Sequence, residues 1–272
     1  MRVRFCGVRG STPAPGADFV RIGGNTSCVA VIPTDADRPT LLLDAGTGIR
    51  NVSALLDGDA FHGTIVLSHL HWDHVQGLPF FVAADRDDAV VRLLIPDEGD
   101  DAAAVLGRAM SPPHFPITPE GLQGRWSFET IAEGPHVIEG LSVTAREIPH
   151  KGGRTFGYRV DDGGGSFAYL PDHRPSPGGL GRDAALDLAR DVDVLIHDAQ
   201  FVAGEGLVAS RYGHATIDEA VSLAREAGAH ELVLFHHGPG RTDAELDCIL
   251  SEIDGGEMAV TLAIEGEERS CG

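Results

Sequence analysis

The stretch Thr64–Gly77, TIVLSHLHWDHVQG, decides how this chain is read. A short apolar run ending at Ser68 gives way at once to His69, His71, Asp73 and His74. In the extended part, His69 and His71 stand two residues apart and project to the same side of the backbone, because side chains alternate along a strand. Asp73 and His74 fall where a helical pattern (Val75, Leu78, Phe81, Val82) begins, so they face back across the same small space. One segment can therefore contribute to two metal positions. A solvated polar loop would not gather four ligand-type side chains beside a buried strand.

This spacing, His-x-His-x-Asp-His, resembles the signature of the metallo-β-lactamase fold hydrolases, and the resemblance implies further stations in a set order. A third histidine is expected after a downstream strand, and GLSVTAREIPH ends at His150. An aspartate bridging both ions is expected after another strand, and SFAYLPDHRP supplies Asp172. A last histidine should close the site, for which ELVLFHHGP offers His236 and His237. The strand-then-histidine pattern favours His236, with His237 pointing away from the ions and toward substrate. The resemblance thus implies that His69, His71 and His150 hold one ion, that Asp73, His74 and His236 hold the other, and that Asp172 bridges them.

The resemblance extends to the branch that includes tRNase Z and small-molecule phosphodiesterases. CGVRGSTPAPG and then GGNTSCV (Gly23 to Val29) look like its opening hairpin, with Asn25 as a substrate contact. LLLDAGTG (Leu41 to Gly48) resembles its first motif, in which Asp44 braces the ligand loop. PDHRP is similar to GDTRP, with His173 in place of the threonine and available to line the pocket. LIHDAQF (Leu195 to Phe201) resembles the HEATF motif, and YGHAT sets His214 where the branch carries a non-ligand histidine near the scissile phosphate. The similarity runs from Phe5 to His237, whereas GGLG at Gly178 to Gly181 reads as an ordinary turn.

The chemistry expected of such a site follows from its ligands. Imidazole mixed with carboxylate, without cysteine, suits two divalent ions: Zn first, with Mn or Fe as the other fitting metals. Two adjacent ions lower the pKa of a shared water toward ~7 and clamp the attacked and leaving oxygens. Asp73 is expected to orient the hydroxide, His214 to protonate the leaving alkoxide or stabilise the reacting phosphoryl group, and Asp198 to orient His214. His62, His136 and His230 read as solvated; His197 reads equally as a support of the site or as a satisfied buried histidine.

At 272 residues and 42% hydrophobic content, the chain can bury a large core and reads as one domain, 1–272. No apolar run approaches the roughly 20 residues that cross a bilayer, and MRVRFCGVRG lacks the apolar stretch of a signal peptide. A cytoplasmic protein with no membrane partner is expected. Cys6, Cys28, Cys248 and Cys271 lie far apart and read as reduced thiols rather than a disulfide framework. The net charge is −20, from 41 acidic and 21 basic residues, with Lys151 the only lysine. Polyanion binding needs a basic face, so long nucleic acid is not expected as a partner. Arg146, Lys151, Arg154, Arg159 and Arg174 fall around the metal motifs, where each reads either as a solvated cation of an acidic protein or as one of a few that hold one or two phosphates.

Strand patterns occur at Val3–Val8, Ser27–Ile32, Thr40–Leu43, Thr64–Ser68, Val90–Ile95, Leu141–Ile148, Phe156–Val160, Ser166–Leu170, Val192–Ile196, Glu231–Phe235 and Ala259–Ile264. Helices are predicted at Ile217–Ala227 and Asp243–Ile253, each opened by a capping box, Thr216 with Glu219 and Thr242 with Glu245. These elements fit the α/β fold that the resemblance implies, an αββα sandwich with its site along one sheet edge. Residues 85–130 are less regular: an acidic run, a short helix at Ala102–Met110 and the Pro-rich MSPPHFPITPEGL fit either a lid-like segment over the pocket, with His114 touching substrate, or a surface excursion packed on the core.

The expected activity is hydrolysis of a small phosphodiester, such as a cyclic nucleotide or a ribose cyclic phosphate, by a monomer or homodimer. tRNA 3′ processing is the alternative within the branch, but only 21 residues separate His150 from Asp172 and no basic insertion is present. A lactonase or thioesterase of the same fold, and a non-catalytic metal-bound sensor, are the alternatives from other classes.

Overall fold

A computed structural model describes residues 1–175 and 181–272; all of the GGLG turn except Gly181 lies outside the described residues. The first half contributes strands β1 (Arg2–Gly7), β2 (Cys28–Ile32), β3 (Leu41–Leu43), β4 (His62–Val66), β5 (Val90–Pro96) and β6 (Arg125–Ile131). The second half contributes β7 (Gly134–Ile138), β8 (Leu141–Glu147), β9 (Phe156–Asp161), β10 (Ser166–Leu170), β11 (Val194–Asp198), β12 (Glu231–Phe235) and β13 (Ala259–Leu262). A final strand, β14 (Glu268–Ser270), returns to the first sheet beside β1.

Two seven-stranded sheets result, in the orders β14-β1-β2-β3-β4-β5-β6 and β13-β12-β11-β10-β9-β8-β7. In each, antiparallel strands give way to parallel ones, the latter being β3 to β6 and β10 to β13. The sheets pack face to face, and strand alternation divides the apolar residues between layers. Val29 and Val31 of β2 join Phe5, Tyr158, Tyr169 and Phe235 in the core between the sheets. Cys28 and Ala30 of the same strand face outward into a second cluster with Ile49, Phe61, Phe81 and Leu106. Both faces being covered explains why the central strands are apolar throughout.

Helices α1 (Ile49–Val52), α2 (Trp72–Val75), α3 (Ala102–Gly107), α4 (Arg182–Ala189), α5 (Gly206–Tyr212), α6 (Ile217–Ala227) and α7 (Asp243–Glu252) complete the fold. Both expected capping boxes are formed, at Thr216 and at Thr242. The helix expected after His74 is shorter than its pattern, because Pro79 follows within a turn; the chain passes into a 3₁₀ turn and leaves Val82 on the surface.

Residues 85–130 are more ordered than their sequence pattern indicates. Its two ends are strands of the first sheet, β5 and the beginning of β6, paired in parallel from Val90↔Arg125 to Pro96↔Ile131. β6 gives no clear strand signal because it lies at a sheet edge, where only Ile131 is buried. The residues between these strands, including α3 and His114, form one wall of a cavity of about 770 Å³. No helix among the described residues is long and apolar enough to cross a membrane.

Candidate metal centre and its surroundings

The ligand-type residues emerge at strand ends and meet along the line where the two sheets adjoin. His69, His71, Asp73 and His74 follow β4, His150 follows β8, Asp172 follows β10, Asp198 ends β11 and His236 follows β12. Two groups form. His69, His71, His150 and Asp172 make one, and Asp73, His74 and His236 make the other. Asp172 stands between them: its Oδ2 lies 3.7 Å from His69 Nε2 and 3.4 Å from His150 Nε2. Its Oδ1 lies 3.1 Å from both His74 Nε2 and His236 Nε2.

Neighbouring groups fix the orientation of several rings. The Asp44 carboxylate accepts from the Ser68 backbone N–H at 2.7 Å, from Ser68 Oγ at 2.9 Å, from His74 Nδ1 at 2.7 Å and from Tyr169 Oη at 2.7 Å. Ser68 Oγ, its proton directed at Asp44, accepts from His69 Nδ1 at 3.0 Å. His150 Nδ1 donates to the Gly213 carbonyl at 2.6 Å. In all three histidines the outer nitrogen is the one so engaged, which leaves Nε2 aimed inward. Asp44 was expected to brace this loop; Ser68 and Tyr169 carry no motif that marks them, although Ser68 directly precedes His69.

The N-terminal loop closes the second group. Ser11 N–H donates to Asp73 Oδ2 at 2.7 Å, and His236 Nε2 lies 3.2 Å from the same oxygen. Gly10 is required here, since a Cβ would stand 2.4 Å from the His236 ring. The fully buried Arg9 holds the loop down, donating to the carbonyls of Gly23 and Arg241, each at 2.6 Å, and pairing with Asp243. Asp44 (φ 62) and His236 (φ 58) both adopt the left-handed region, a strained conformation for these side chains that the surrounding bonds hold in place.

The electrostatics suit cations. Burial and the neighbouring His74 push the His69 pKa well below the ordinary imidazole value, and burial lowers His71 and His150 as well. Burial disfavours charge on His74, yet Asp172, Asp44 and Asp73 outweigh it and raise its pKa well above normal. Burial of Asp172 is likewise outweighed by His236, His74 and His69, which hold its carboxyl well below the usual range. At the centre, His69 Nε2, His74 Nε2 and Asp172 Oδ1 are buried without a hydrogen-bond partner. Such orphaned inward-facing donors and carboxylates fit divalent ions, so the residues present match a binuclear centre.

His214 and Asp198 adjoin it. His214 Nδ1 donates to Asp198 Oδ2 at 2.8 Å, and its ring stacks on His236 with centroids 5.2 Å apart. Burial lowers the His214 pKa, but Asp198 reverses the sign and raises it to about 9. His214 also groups with Asp172 and His236 as a possible ligand. Its Nδ1, 3.9 Å from Asp172, is however committed to Asp198.

Three expected substrate contacts are corrected. His237 is buried and its Nε2 donates to the Ala263 carbonyl at 2.9 Å, behind the site, with burial lowering its pKa to about 3. His173 is wholly buried; its N–H donates to Asp198 and its ring meets His197 Nε2 at 2.9 Å. Asn25 donates its amide to Glu265 at 3.0 Å and braces the opening loop. All three lie in segments that resemble motifs, but sequence does not specify which side of a loop faces the pocket. His114 does line the cavity, together with His69, Trp72 and Phe115.

His197 is satisfied, its Nδ1 donating to the Asp198 carbonyl. His230 is exposed and beside Asp193, while His62 and His136 each bond a backbone carbonyl at the surface. Of the flanking cations, Arg154 lines the cavity but pairs with Glu147. Arg146 and Arg159 line a separate depression beside Asp187. Lys151 Nζ and Arg174 bond the Arg211 carbonyl and Ser210 Oγ and have no carboxylate partner among the described residues.

A model of the beta-lactamase superfamily domain matches residues 40–237, most of the chain. Ribonuclease Z of Limosilactobacillus fermentum is 26% identical over 222 residues, covering 63% of this chain and 68% of that protein. The metallo-beta-lactamase fold protein YhfI from Bacillus subtilis superposes with a TM-score of 0.75 at 18% identity, over 99% of each chain. A diphosphatase from the PhnP family gives 0.69 at 20% identity, over 100% of this chain and 98% of its own. At these identities the solved structures speak to the fold alone.

Proposed function

The chain belongs to the β-lactamase superfamily as a metal-dependent hydrolase, and on that premise we propose that it hydrolyses a small phosphodiester, with cyclic mononucleotides and ribose cyclic phosphates as simple cases. The observation that carries this reading is the His214–Asp198 pair set against the Asp172-bridged groups. A buried carboxylate holds Nδ1, so Nε2 is the ring atom left to meet substrate, placed to deliver a proton to a leaving oxygen. Alkoxide leaving groups need that proton.

In this reading His69, His71, His150 and Asp172 would hold one divalent ion, and Asp73, His74, His236 and Asp172 the other. Zn is the metal the nitrogen-rich donor set suits best. Bound there, the ions would supply a hydroxide at neutral pH and charge stabilisation for the phosphoryl oxygens. The protein's own groups do the remainder. Asp73, fixed by the Ser11 N–H, orients the nucleophile; Asp44 and Ser68 hold ring orientations; Lys151, next to His150 in the chain, and Arg174, bonded to Ser210, attract the anionic substrate.

A small substrate accords with a net charge of −20 and with arginines already paired to carboxylates. Likeness to ribonuclease Z makes tRNA cleavage the second reading. The deciding assay compares bis(p-nitrophenyl) phosphate with a homoserine lactone, each with a metal-stripped control. Phosphodiester turnover that vanishes on stripping supports the proposal; lactone turnover alone replaces it.

A further inference from the structure

The metal groups adjoin the cavity of about 770 Å³ through His69, and the lining is largely apolar. Its floor is His69 together with Gly152, where an added Cβ would stand 3.1 Å from His71 Nε2. One wall is Trp72, Leu78 and Phe80; the other is Leu106, Met110 and Phe115. Phe80 and Phe115 meet edge to face across it, with centroids 6.1 Å apart. Trp72 and Phe80 are 75% and 56% exposed, a large apolar area to leave facing water beside a reactive centre.

The polar residues of the lining are turned to other partners. Gln76 donates its amide to Thr26 Oγ1 at 3.3 Å. Glu98 accepts from the Arg154 N–H at 2.9 Å, and the Arg154 guanidinium bonds Glu147 and the Asp97 carbonyl. Arg108 pairs with Asp100. Among the described residues, and apart from the metal-facing His69 Nε2, this leaves the His114 ring, the Trp72 indole N–H, the Gln76 carbonyl oxygen and one Glu98 oxygen as polar lining side-chain groups without a protein partner. A nucleobase would find aromatic faces there but few groups to read its edge, whereas a hydrocarbon would find a complementary surface.

We propose that this cavity receives an apolar substituent, aliphatic or aromatic, of the diester whose phosphoryl group reacts at the metal groups. The inference rests on the phosphodiesterase reading and deepens it: a cyclic nucleotide is then a slower substrate than a small diester with a hydrocarbon arm. The apolar arm leaves water as the ester binds, and each buried methylene favours binding by about fourfold.

The test uses methyl, hexyl and phenyl p-nitrophenyl phosphates, which share one leaving group, on the Zn-loaded protein. The better of the hexyl and phenyl esters should exceed the methyl ester in kcat/KM by at least about tenfold, and their order tells aliphatic from aromatic preference. A second readout needs no turnover. In a Trp126→Phe background, Trp72 is the only tryptophan, and its emission should respond to hexyl- or phenylphosphonate at concentrations at least about tenfold below methylphosphonate. Phe80→Ser and Phe115→Ser, at surface-accessible positions, should narrow both ratios. Turnover with a flat ester series and a flat titration overturns the inference and leaves the phosphodiesterase reading intact. Absence of turnover on every ester overturns both.

Discussion

Asp44 and His74 face one another at 2.7 Å in complete burial, one carboxylate oxygen receiving the Nδ1 proton of a ring whose Nε2 looks into the metal groups. Through Ser68 the same carboxylate also orients His69, so one side chain sets a ring of each group. The site depends on this residue although it touches neither ion position directly.

Asp44→Asn keeps the volume but replaces an acceptor by a donor. At least one of the Ser68, His74 and Tyr169 donors then loses its partner in a buried place, which costs about 1–3 kcal/mol. Metal affinity should fall by roughly 10- to 100-fold. Thermal unfolding and competition with a chromogenic chelator measure the two effects; unchanged affinity would contradict the bracing role.

His214→Ala separates proton donor from ligand. Metal content should stay as in the unaltered protein, while turnover of alkyl esters falls by about 10²–10⁴ and that of p-nitrophenyl esters much less. Equal losses on both leaving groups would assign His214 to phosphate binding instead. Loss of metal would make it a ligand.

Thiol chemistry checks the packing independently of function. Cys6, Cys28 and Cys271 are buried and Cys248 is exposed. Burial also drives the Cys28 pKa well up and that of Cys271 to about 12, so neither offers thiolate at pH 8. A native titration with a chromogenic disulfide at that pH should count one fast thiol, and a denatured one four. More than one fast thiol in the native protein would contradict the packing of these strands.

Much of this was legible in sequence because the ligands sit at strand ends, where apolar alternation and the break after it are both visible. Thr64–Gly77 located the first cluster, and the αββα class came with the resemblance that this stretch carries, the strand and helix periodicities agreeing with it; every strand pattern has a strand in the structure. What sequence concealed has physical reasons. β6 is an edge strand with little apolar alternation, and α5 has a single buried residue, Ala209. The facing of His173, His237 and Asn25 depends on loop conformation. Ser68, Tyr169 and the Ser11 N–H act through hydrogen bonds that only the tertiary fold brings together.

Substrate size can be tested through ionic strength. At 0.01 M salt the Debye length is ~30 Å, so an acidic surface should repel a polyanion while a small diester responds mainly to the site. We expect hydrolysis of at least one small diester and negligible cleavage of precursor tRNA, with a salt dependence far weaker for the diester than for any tRNA binding. Efficient, accurate 3′ processing of tRNA would mean that a local basic groove outweighs the net charge of −20.

The central claim is a binuclear hydrolytic centre joined by Asp172, whose two oxygens face His150 on one side and His74 and His236 on the other. The most direct measurement is metal content by elemental analysis, paired with bis(p-nitrophenyl) phosphate turnover, for the unaltered protein and Asp172→Ala. The account predicts about two transition-metal ions per chain and turnover in the first, with both metal and turnover lost together in the second. An Asp172→Ala protein that keeps both ions and full activity would contradict it.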